Sequence, residues 1–294
     1  MNTIVTENYV QINNNLLCYS ITGRDSFPPL VLIHTLGLNK SMWNEQIEFL
    51  SKDYQVVSYD IRGHGSSGVS DGLYNIDLFV DDLIALMDHL KIQKVILCGI
   101  SMGGYIAIRA VELFPERIQG LILCDTKSYA DSNKEKIKRF EFIKNVKAKG
   151  EEFFSDNILE GLLSIESNDN HKDILIKTRE NLESNSLLGI CGTMLALASR
   201  MDSSESLKNI KIPTLILAGE KDNDSPPVDS QYLNYFITGS QLHIIKHAFY
   251  LSNLENPNEF NRLIKAFLTK NFNQIIISNP IEILMEKLSK TANE

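Results

Sequence analysis

The sequence predicts an α/β fold with a mostly parallel sheet, and three observations support this prediction. Short β-branched runs such as "PLVLIHT" and "KVILCGI" alternate with segments that have helical spacing. From Pro29 onward, the segments between these runs are long enough for the crossover helices that parallel strands require. Between Asp125 and Ile212 only helical patterns occur. We therefore expect a sheet flanked by helices, with one helical block inserted between two of its strands.

Taken in order, the elements predict eight strands. The first two are separated only by Asn13 to Asn15 and should form an antiparallel hairpin at one edge. The inserted block should lie as a cap above the strand ends. The predicted domains are a core at 1–128 and 209–272, a helical cap at 129–208 and a C-terminal extension at 273–294. The amphipathic segment from Ile281 to Leu288 is expected to pack on the body or to join a homodimer. The predicted strand sequences are YVQINN, LLCYSIT, PLVLIHT, YQVVSYD, KVILCGI, GLILCD, TLILAG and QLHIIK.

Composition excludes several classes of function. The formal net charge of −8 argues against nucleic acid, because that affinity comes mostly from lysine and arginine. The N-terminal residues contain no basic and apolar export signal, which predicts a cytoplasmic protein. The longest uncharged stretch, Ser186 to Ser199, is too short to span a membrane, so no membrane association is expected. The four cysteines are scattered and the histidines form no ligand cluster, which predicts buried thiols and no metal.

The motif with the clearest chemistry is G-x-S-x-G at Gly99, Ser101 and Gly103. The strand "KVILCG" precedes it and the helical segment "GGYIAIRAVELF" follows it. This is the pattern of a nucleophile elbow, in which glycines allow a turn so sharp that the serine hydroxyl stands clear of the sheet. Ser101 is therefore the candidate nucleophile.

Two loops near this elbow have separate predicted roles. In "VLIHTLGLNKSMW", the backbone N–H of Leu36 is the predicted first donor of an oxyanion hole, and that of Met102 is the second. His34 is interpreted as a structural residue of this loop. In "YDIRGHGSS", Arg62 is expected to anchor a tight polar turn through a carboxylate, and His64 is not expected to act as a base.

Six blocks between about Pro29 and Leu268 occur in a characteristic order. They are LIHTLGLNKSMWNEQIEFL, SYDIRGHGSS, LCGISMGGYIAI, LILCDT, PTLILAGEKDNDSPP and LSNLENP. Together they resemble the α/β-hydrolases, and most closely the 3-oxoadipate enol-lactonase group. The resemblance implies an α/β-hydrolase fold, with Ser101 as the nucleophile, Asp222 as the acid that orients a histidine, Asp224 as the alternative acid, and no cofactor.

The chain departs from the family pattern at its histidine. The family has this residue immediately before the "LSNLE" block, where this chain has Tyr250. A tyrosine is a poor base at neutral pH, because its reference pKa is near 10. Either the loop is re-routed so that His247 reaches both Asp222 and Ser101, or His247 is exposed and the triad is broken.

Two functions follow from these alternatives. The first is a serine hydrolase that opens a small ester, lactone or thioester through an acyl-enzyme on Ser101, with His247 as the base. The second is a hydrolase-like protein that binds a small apolar ligand or steers a non-hydrolytic cyclisation or rearrangement. In both, the expected partner is a small molecule with an apolar part. The predicted substrate-binding residues are Phe153, Leu187, Met194 and Tyr250, with Phe154 and Met201 as further cap candidates.

Overall fold

The computed structural model describes residues 6–162 and 172–272. Eight strands form one sheet in the order β1-β2-β4-β3-β5-β6-β7-β8. The strands are β1 (Asn8–Ile12), β2 (Asn15–Thr22), β3 (Pro29–Ile33), β4 (Gln55–Tyr59), β5 (Val95–Ile100), β6 (Ile118–Cys124), β7 (Thr214–Gly219) and β8 (Gln241–Ile245). Pairing is antiparallel for β1 with β2 and for β2 with β4, and parallel for the other neighbours. The predicted α/β fold is confirmed.

The edge hairpin follows from its turn residues. Asn13 and Asn14 connect β1 to β2 and have φ angles of 47° and 58°. Asparagine is one of the few residues other than glycine that enters this left-handed region readily, and two such residues in sequence make a tight hairpin turn. The predicted antiparallel hairpin is confirmed at the β1 edge of the sheet.

Helices cover the sheet and connect its parallel strands. They are α1 (Asn44–Leu50), α2 (Ile76–His89), α3 (Met102–Leu113), α4 (Asn133–Lys149), α5 (Glu151–Leu162), α6 (Lys172–Glu183), α7 (Leu187–Ser199), α8 (Pro227–Phe236), α9 (Ser252–Glu255) and α10 (Pro257–Phe272). Every residue of β5 and of β7 is buried, as expected for central strands covered on both faces. Helices α4 to α7 lie between β6 and β7 in the chain.

Two expectations concern the C-terminal extension and the apolar stretch from Ser186 to Ser199. The C-terminal extension, with the segment from Ile281 to Leu288, lies outside the described residues. In the part of the chain that is described, no helix has both the length and the hydropathy needed to cross a bilayer. The apolar stretch from Ser186 instead forms α7, whose residues are mostly buried.

The fold collects the candidate residues at one edge of the sheet. Ser101 follows β5, Asp125 follows β6, and Asp222 follows β7 by three residues. These three strands are parallel neighbours, so their carboxyl ends lie side by side. This is the edge of an open α/β sheet where ligands bind.

Candidate active site

The elbow around Ser101 is formed as the sequence predicts. Ser101 lies between β5 and α3 with a φ angle of 50°, a left-handed conformation that is strained for a non-glycine residue. A Cβ atom on Gly99 would lie 2.2 Å from the Gly103 carbonyl oxygen, and one on Gly103 would lie 2.2 Å from that of Ile33. Both positions therefore require glycine, and their close packing fixes where the serine side chain points.

Three hydroxyl groups meet at this elbow. The Tyr250 hydroxyl donates a hydrogen bond to Ser101 Oγ, and its oxygen lies 3.0 Å from Thr35 Oγ1. All three residues are buried. Each hydroxyl has a single proton to donate. Because Tyr250 uses its proton in the hydrogen bond to Ser101, Thr35 must be the donor in its hydrogen bond with the tyrosine oxygen. The Ser101 proton then remains available to a ligand.

Tyr250 does not act as a base in this environment. Burial raises the pKa of its phenol well above 10, and the negative charge of Asp224 raises it further. The hydrogen bonds with Ser101 and Thr35 lower the pKa, but burial has the largest effect. The phenol is therefore neutral at neutral pH and serves as a hydrogen-bond donor.

The structure does not bring His247 to Ser101. The prediction that the His247 imidazole completes the triad is therefore corrected. His247 is exposed, with a φ angle of 61°, and its backbone N–H donates to Glu220 Oε2 at 3.0 Å. The following residues are held in place, because the Phe249 N–H donates to Glu255 Oε2 at 2.6 Å. This fixed loop directs Tyr250, and not His247, towards the elbow.

His247→Ala is expected to leave ligand binding, stability and any residual esterase rate unchanged. The side chain is exposed and is not brought to Ser101, and surface substitutions of this kind usually change stability by less than about 0.5 kcal/mol. Parallel assays of p-nitrophenyl ester turnover and thermal unfolding check this. A drop in rate of roughly tenfold or more would show that the imidazole reaches the site during the reaction.

Asp222 lies in the predicted place but has an unused oxygen. It is buried, and its Oδ1 accepts hydrogen bonds from the N–H groups of Asp224 and Ser225 at 2.8 and 3.0 Å. Its Oδ2 has no hydrogen-bond partner among the described residues. Asp224, the alternative acid, is exposed. Burial raises the pKa of Asp222 to about 6.

Asp222→Asn is expected to stabilise the protein above pH 6. The folded-state pKa of Asp222 is raised, so its contribution to stability is present below about pH 4 and is lost as the pH rises through 6. Asparagine does not titrate. Between pH 4 and pH 7 the free energy of unfolding of the variant should therefore rise by roughly 2 to 3 kcal/mol relative to that of wild type. Urea unfolding across this range measures the difference. The exposed Asp173→Asn is the control, and an equal, flat difference for both variants contradicts the prediction.

Asp125 is a site residue that sequence reasoning missed. It is fully buried and has a φ angle of 45°. Its Oδ1 accepts from the Gly219 N–H at 2.7 Å, and its Oδ2 accepts from Ser252 Oγ at 2.5 Å. Burial, with the nearby Asp222 carboxyl, raises its pKa well above the usual range. Asp125 thus joins β7 to the helix that follows Tyr250. Asp125 directly follows the strand sequence "LILC", and a carboxylate at the end of a buried strand is the signal that could have identified it.

The two predicted oxyanion donors are free in the described structure. Met102 is the first residue of α3, and neither its N–H nor that of Leu36 has a hydrogen-bond acceptor among the described residues. Side chains from α5 and α6 lie against the loop of Leu36. A Cβ atom on Gly37, whose φ angle is 76°, would lie 2.6 Å from Leu182 and 3.1 Å from Phe154. Thr35, which also lies in this loop, was not predicted as a site residue.

The predicted substrate-binding side chains pack on the cluster that contains Tyr250. Met194 is buried within this cluster, and Phe153 and Leu187 are partly buried against it. The Phe153 ring also lies 5.7 Å from that of Phe142 and below the Lys149 ammonium group. Met201 points outwards and is 66% exposed. Contact of these residues with a ligand remains a prediction.

The other motif residues have structural partners. His34 Nε2 accepts from the Ile61 N–H at 2.8 Å, and burial lowers the pKa of His34 to about 4. Arg62 makes a two-pronged contact with the Asp82 carboxylate at 2.7 and 2.8 Å. His64 is buried, and its pKa is lowered to about 3. Neither histidine lies in the hydroxyl cluster.

The chain matches known proteins over most of its length. A family profile described as the alpha/beta hydrolase fold matches residues 28–257. The chain is 32% identical to 3-oxoadipate enol-lactonase 2 of Acinetobacter baylyi over 263 residues, which are 87% of this chain and 94% of that protein. Serine hydrolase BPHL of Mus musculus is 29% identical over 90% of this chain and 87% of its own.

Solved structures give the same result. An esterase from Thermogutta terrifontis superposes with a TM-score of 0.85 and 31% identity, covering 90% of this chain and 98% of its own. The enol-lactonase from Burkholderia xenovorans LB400 has a TM-score of 0.84 and 28% identity, with coverages of 89% and 100%. The predicted resemblance is confirmed, and the relatives support an ester- or lactone-hydrolase type of enzyme. The chain belongs to the α/β-hydrolase fold family.

Proposed function

We propose that this chain binds a small ester or lactone with an apolar part and holds its carbonyl oxygen at Ser101. The site favours non-hydrolytic rearrangement or cyclisation of the bound molecule, and hydrolysis is slow. The observation that carries the proposal is the hydroxyl of Tyr250 on Ser101 Oγ, where a hydrolase needs a base. Ligand class is inferred from the relatives, and the role of the serine is inferred from its partners.

The position of the protons supports this role. A serine hydroxyl becomes a good nucleophile only when a neighbouring base takes its proton. Tyr250 is neutral and places its own proton on Ser101 Oγ, so the serine keeps its proton and one lone pair is occupied. Ser101 is therefore better suited to donate a hydrogen bond to a carbonyl oxygen than to attack the carbonyl carbon.

The donors around the elbow suit a developing negative charge. The Ser101 hydroxyl adds to the free N–H groups of Leu36 and Met102, and Met102 begins helix α3. Fixed donors and a helix N-terminus stabilise an oxyanion or enolate in a buried site. Tyr250 strengthens the serine donor, because hydrogen bonds in a chain polarise one another. Such a site binds the carbonyl oxygen and stabilises negative charge that develops on it.

The test uses a lactone labelled with ¹³C at its carbonyl, δ-hexalactone. Its carbonyl stretch should move to lower frequency on binding to wild type, and the shift should shrink in Ser101→Ala and in Tyr250→Phe. Chromatography should detect no ring-opened hydroxy acid. Ring opening by wild type at an ordinary enzyme rate, about 1 s⁻¹ or faster, would refute the proposal.

A second candidate is hydrolysis through an acyl-enzyme on Ser101. The unpartnered Oδ2 of the buried Asp222 favours it, since that oxygen is free to orient an imidazole. This reaction requires a proton acceptor to replace Tyr250 at the serine. Mass spectrometry of Ser101 after mixing with p-nitrophenyl acetate distinguishes the two, because only this candidate gives rapid acetylation with release of p-nitrophenol.

A further inference from the structure

A broad apolar groove lies apart from the hydroxyl cluster. It has a volume of about 570 Å³ and runs between the loop before α2, helix α4 and the end of α7. Leu73, Phe140 and Met201 line it and are 76%, 52% and 66% exposed. Large apolar side chains exposed side by side commonly mark a binding surface. The volume falls within the usual range for small-molecule sites.

One end of this groove continues into a small cationic cavity. Ile76, Asp77 and Met201 line both. Lys127 and Arg200 also line the cavity. Its volume of about 20 Å³ is enough for one small polar group. The groove is therefore apolar along its length, and the cavity that adjoins it is cationic.

Lys127 makes no direct ion pair in the described structure. Its side chain is buried, and its ammonium group donates to the Asp224 carbonyl oxygen at 3.2 Å and lies 5.3 Å from the centre of the Tyr129 ring. An ammonium group has three N–H donors. No carboxylate within ion-pair distance is found in the described parts of the chain. A buried cation of this kind is stabilised by an anion.

Arg200 also has an N–H group without an acceptor in the described structure. It is 6% exposed, and its Nη atoms donate to Asp131 and to the carbonyl oxygens of Leu197 and Tyr129. Its Nε has no partner among the described residues. The guanidinium group lies on the Tyr105 ring at 4.5 Å, which fixes its plane. Arg109, also in the cavity wall, is already neutralised by Asp77 and Glu112.

We propose that the groove and cavity bind an alkyl carboxylate, with the alkyl chain along the groove and the carboxylate at Lys127 and Arg200. The cationic cavity and the apolar walls of the groove together match a molecule with one anionic and one apolar end. This site goes beyond the carbonyl site at Ser101. Tyr105, one helical turn after Ser101, lies in the cavity wall.

Calorimetric titration with octanoate, octanol and acetate tests the proposal. Octanoate should bind at least about tenfold more tightly than either analogue, because charge-assisted hydrogen bonds and chain burial each contribute. Lys127→Met should weaken octanoate binding by about tenfold or more. The exposed Leu73→Ser and Met201→Ser should each weaken it roughly threefold without affecting folding.

The controls are Lys94→Met, an exposed lysine outside the cavity, and Tyr235→Ser, an exposed aromatic residue on α8. Both should bind octanoate as wild type does. Equal affinity for octanol and octanoate, or no effect of the Leu73 and Met201 variants, overturns the inference. Binding that is lost in Ser101→Ala but kept in Lys127→Met also overturns it, and leaves the carbonyl site as proposed.

Discussion

Tyr250→His is expected to raise p-nitrophenyl ester hydrolysis by roughly 10²- to 10⁴-fold, the usual contribution of a positioned general base. The phenol of Tyr250 already reaches Ser101 Oγ, so an imidazole on the same Cα is directed towards the nucleophile. The unpartnered Oδ2 of Asp222 is available to orient it. With the elbow and the free N–H groups in place, only the proton acceptor needs to be supplied.

Three controls make this gain specific. Tyr250→Phe removes the hydroxyl without adding a base and should give no gain. Ser101→Ala in the Tyr250→His background should return the rate to the wild-type level. Asp222→Asn in that background should lower the rate by up to about 10⁴-fold, since the carboxylate holds the imidazole in the useful tautomer. An unchanged rate for Tyr250→His, in a protein that is folded, contradicts the proposed role of the phenol.

Gly103→Ala is expected to destabilise the protein by about 3 kcal/mol or more. The added Cβ would lie 2.2 Å from the Ile33 carbonyl oxygen and 3.0 Å from that of His34. These are backbone atoms at the end of the central strand β3 and the start of the loop that contains Leu36, so they yield only if α3 moves away from the sheet. The shift in the urea unfolding midpoint measures the cost.

Gly161→Ala is the matched control for that experiment. Gly161 lies in α5, and nothing is found within 4 Å of a Cβ built at this position. Alanine is the better helix former by about 1 kcal/mol, so this variant should be neutral or slightly stabilised. Equal stability of the two variants would show that the close packing at Gly103 does not constrain the elbow.

Sequence reasoning succeeded where local chemistry decides the structure. The strand, turn and helix around Ser101 follow from Gly99 and Gly103, because no other residue fits two backbones that approach so closely. The edge hairpin follows in the same way from Asn13 and Asn14. Such features are specified by a few consecutive residues, and a single sequence is enough to predict them.

Sequence reasoning could not decide whether His247 or Tyr250 faces Ser101, because distant residues determine the path of the loop that contains both. Glu255 holds the Phe249 N–H, and Asp125 holds Ser252 from the end of another strand. The contact of Thr35 with Tyr250 joins residues 215 positions apart. Spacing along the chain contains no record of these contacts, so the partner of the serine had to come from the structure.

The central claim is that a phenol faces the elbow serine, and that no imidazole from residues 6–162 or 172–272 does. Labelling by a fluorophosphonate measures this most directly, because the probe reacts with serines that a base has activated. Wild-type Ser101 should remain essentially unlabelled over a time in which Tyr250→His is labelled stoichiometrically, with peptide mapping to identify the serine. Stoichiometric labelling of Ser101 in wild type at the same rate would contradict the account.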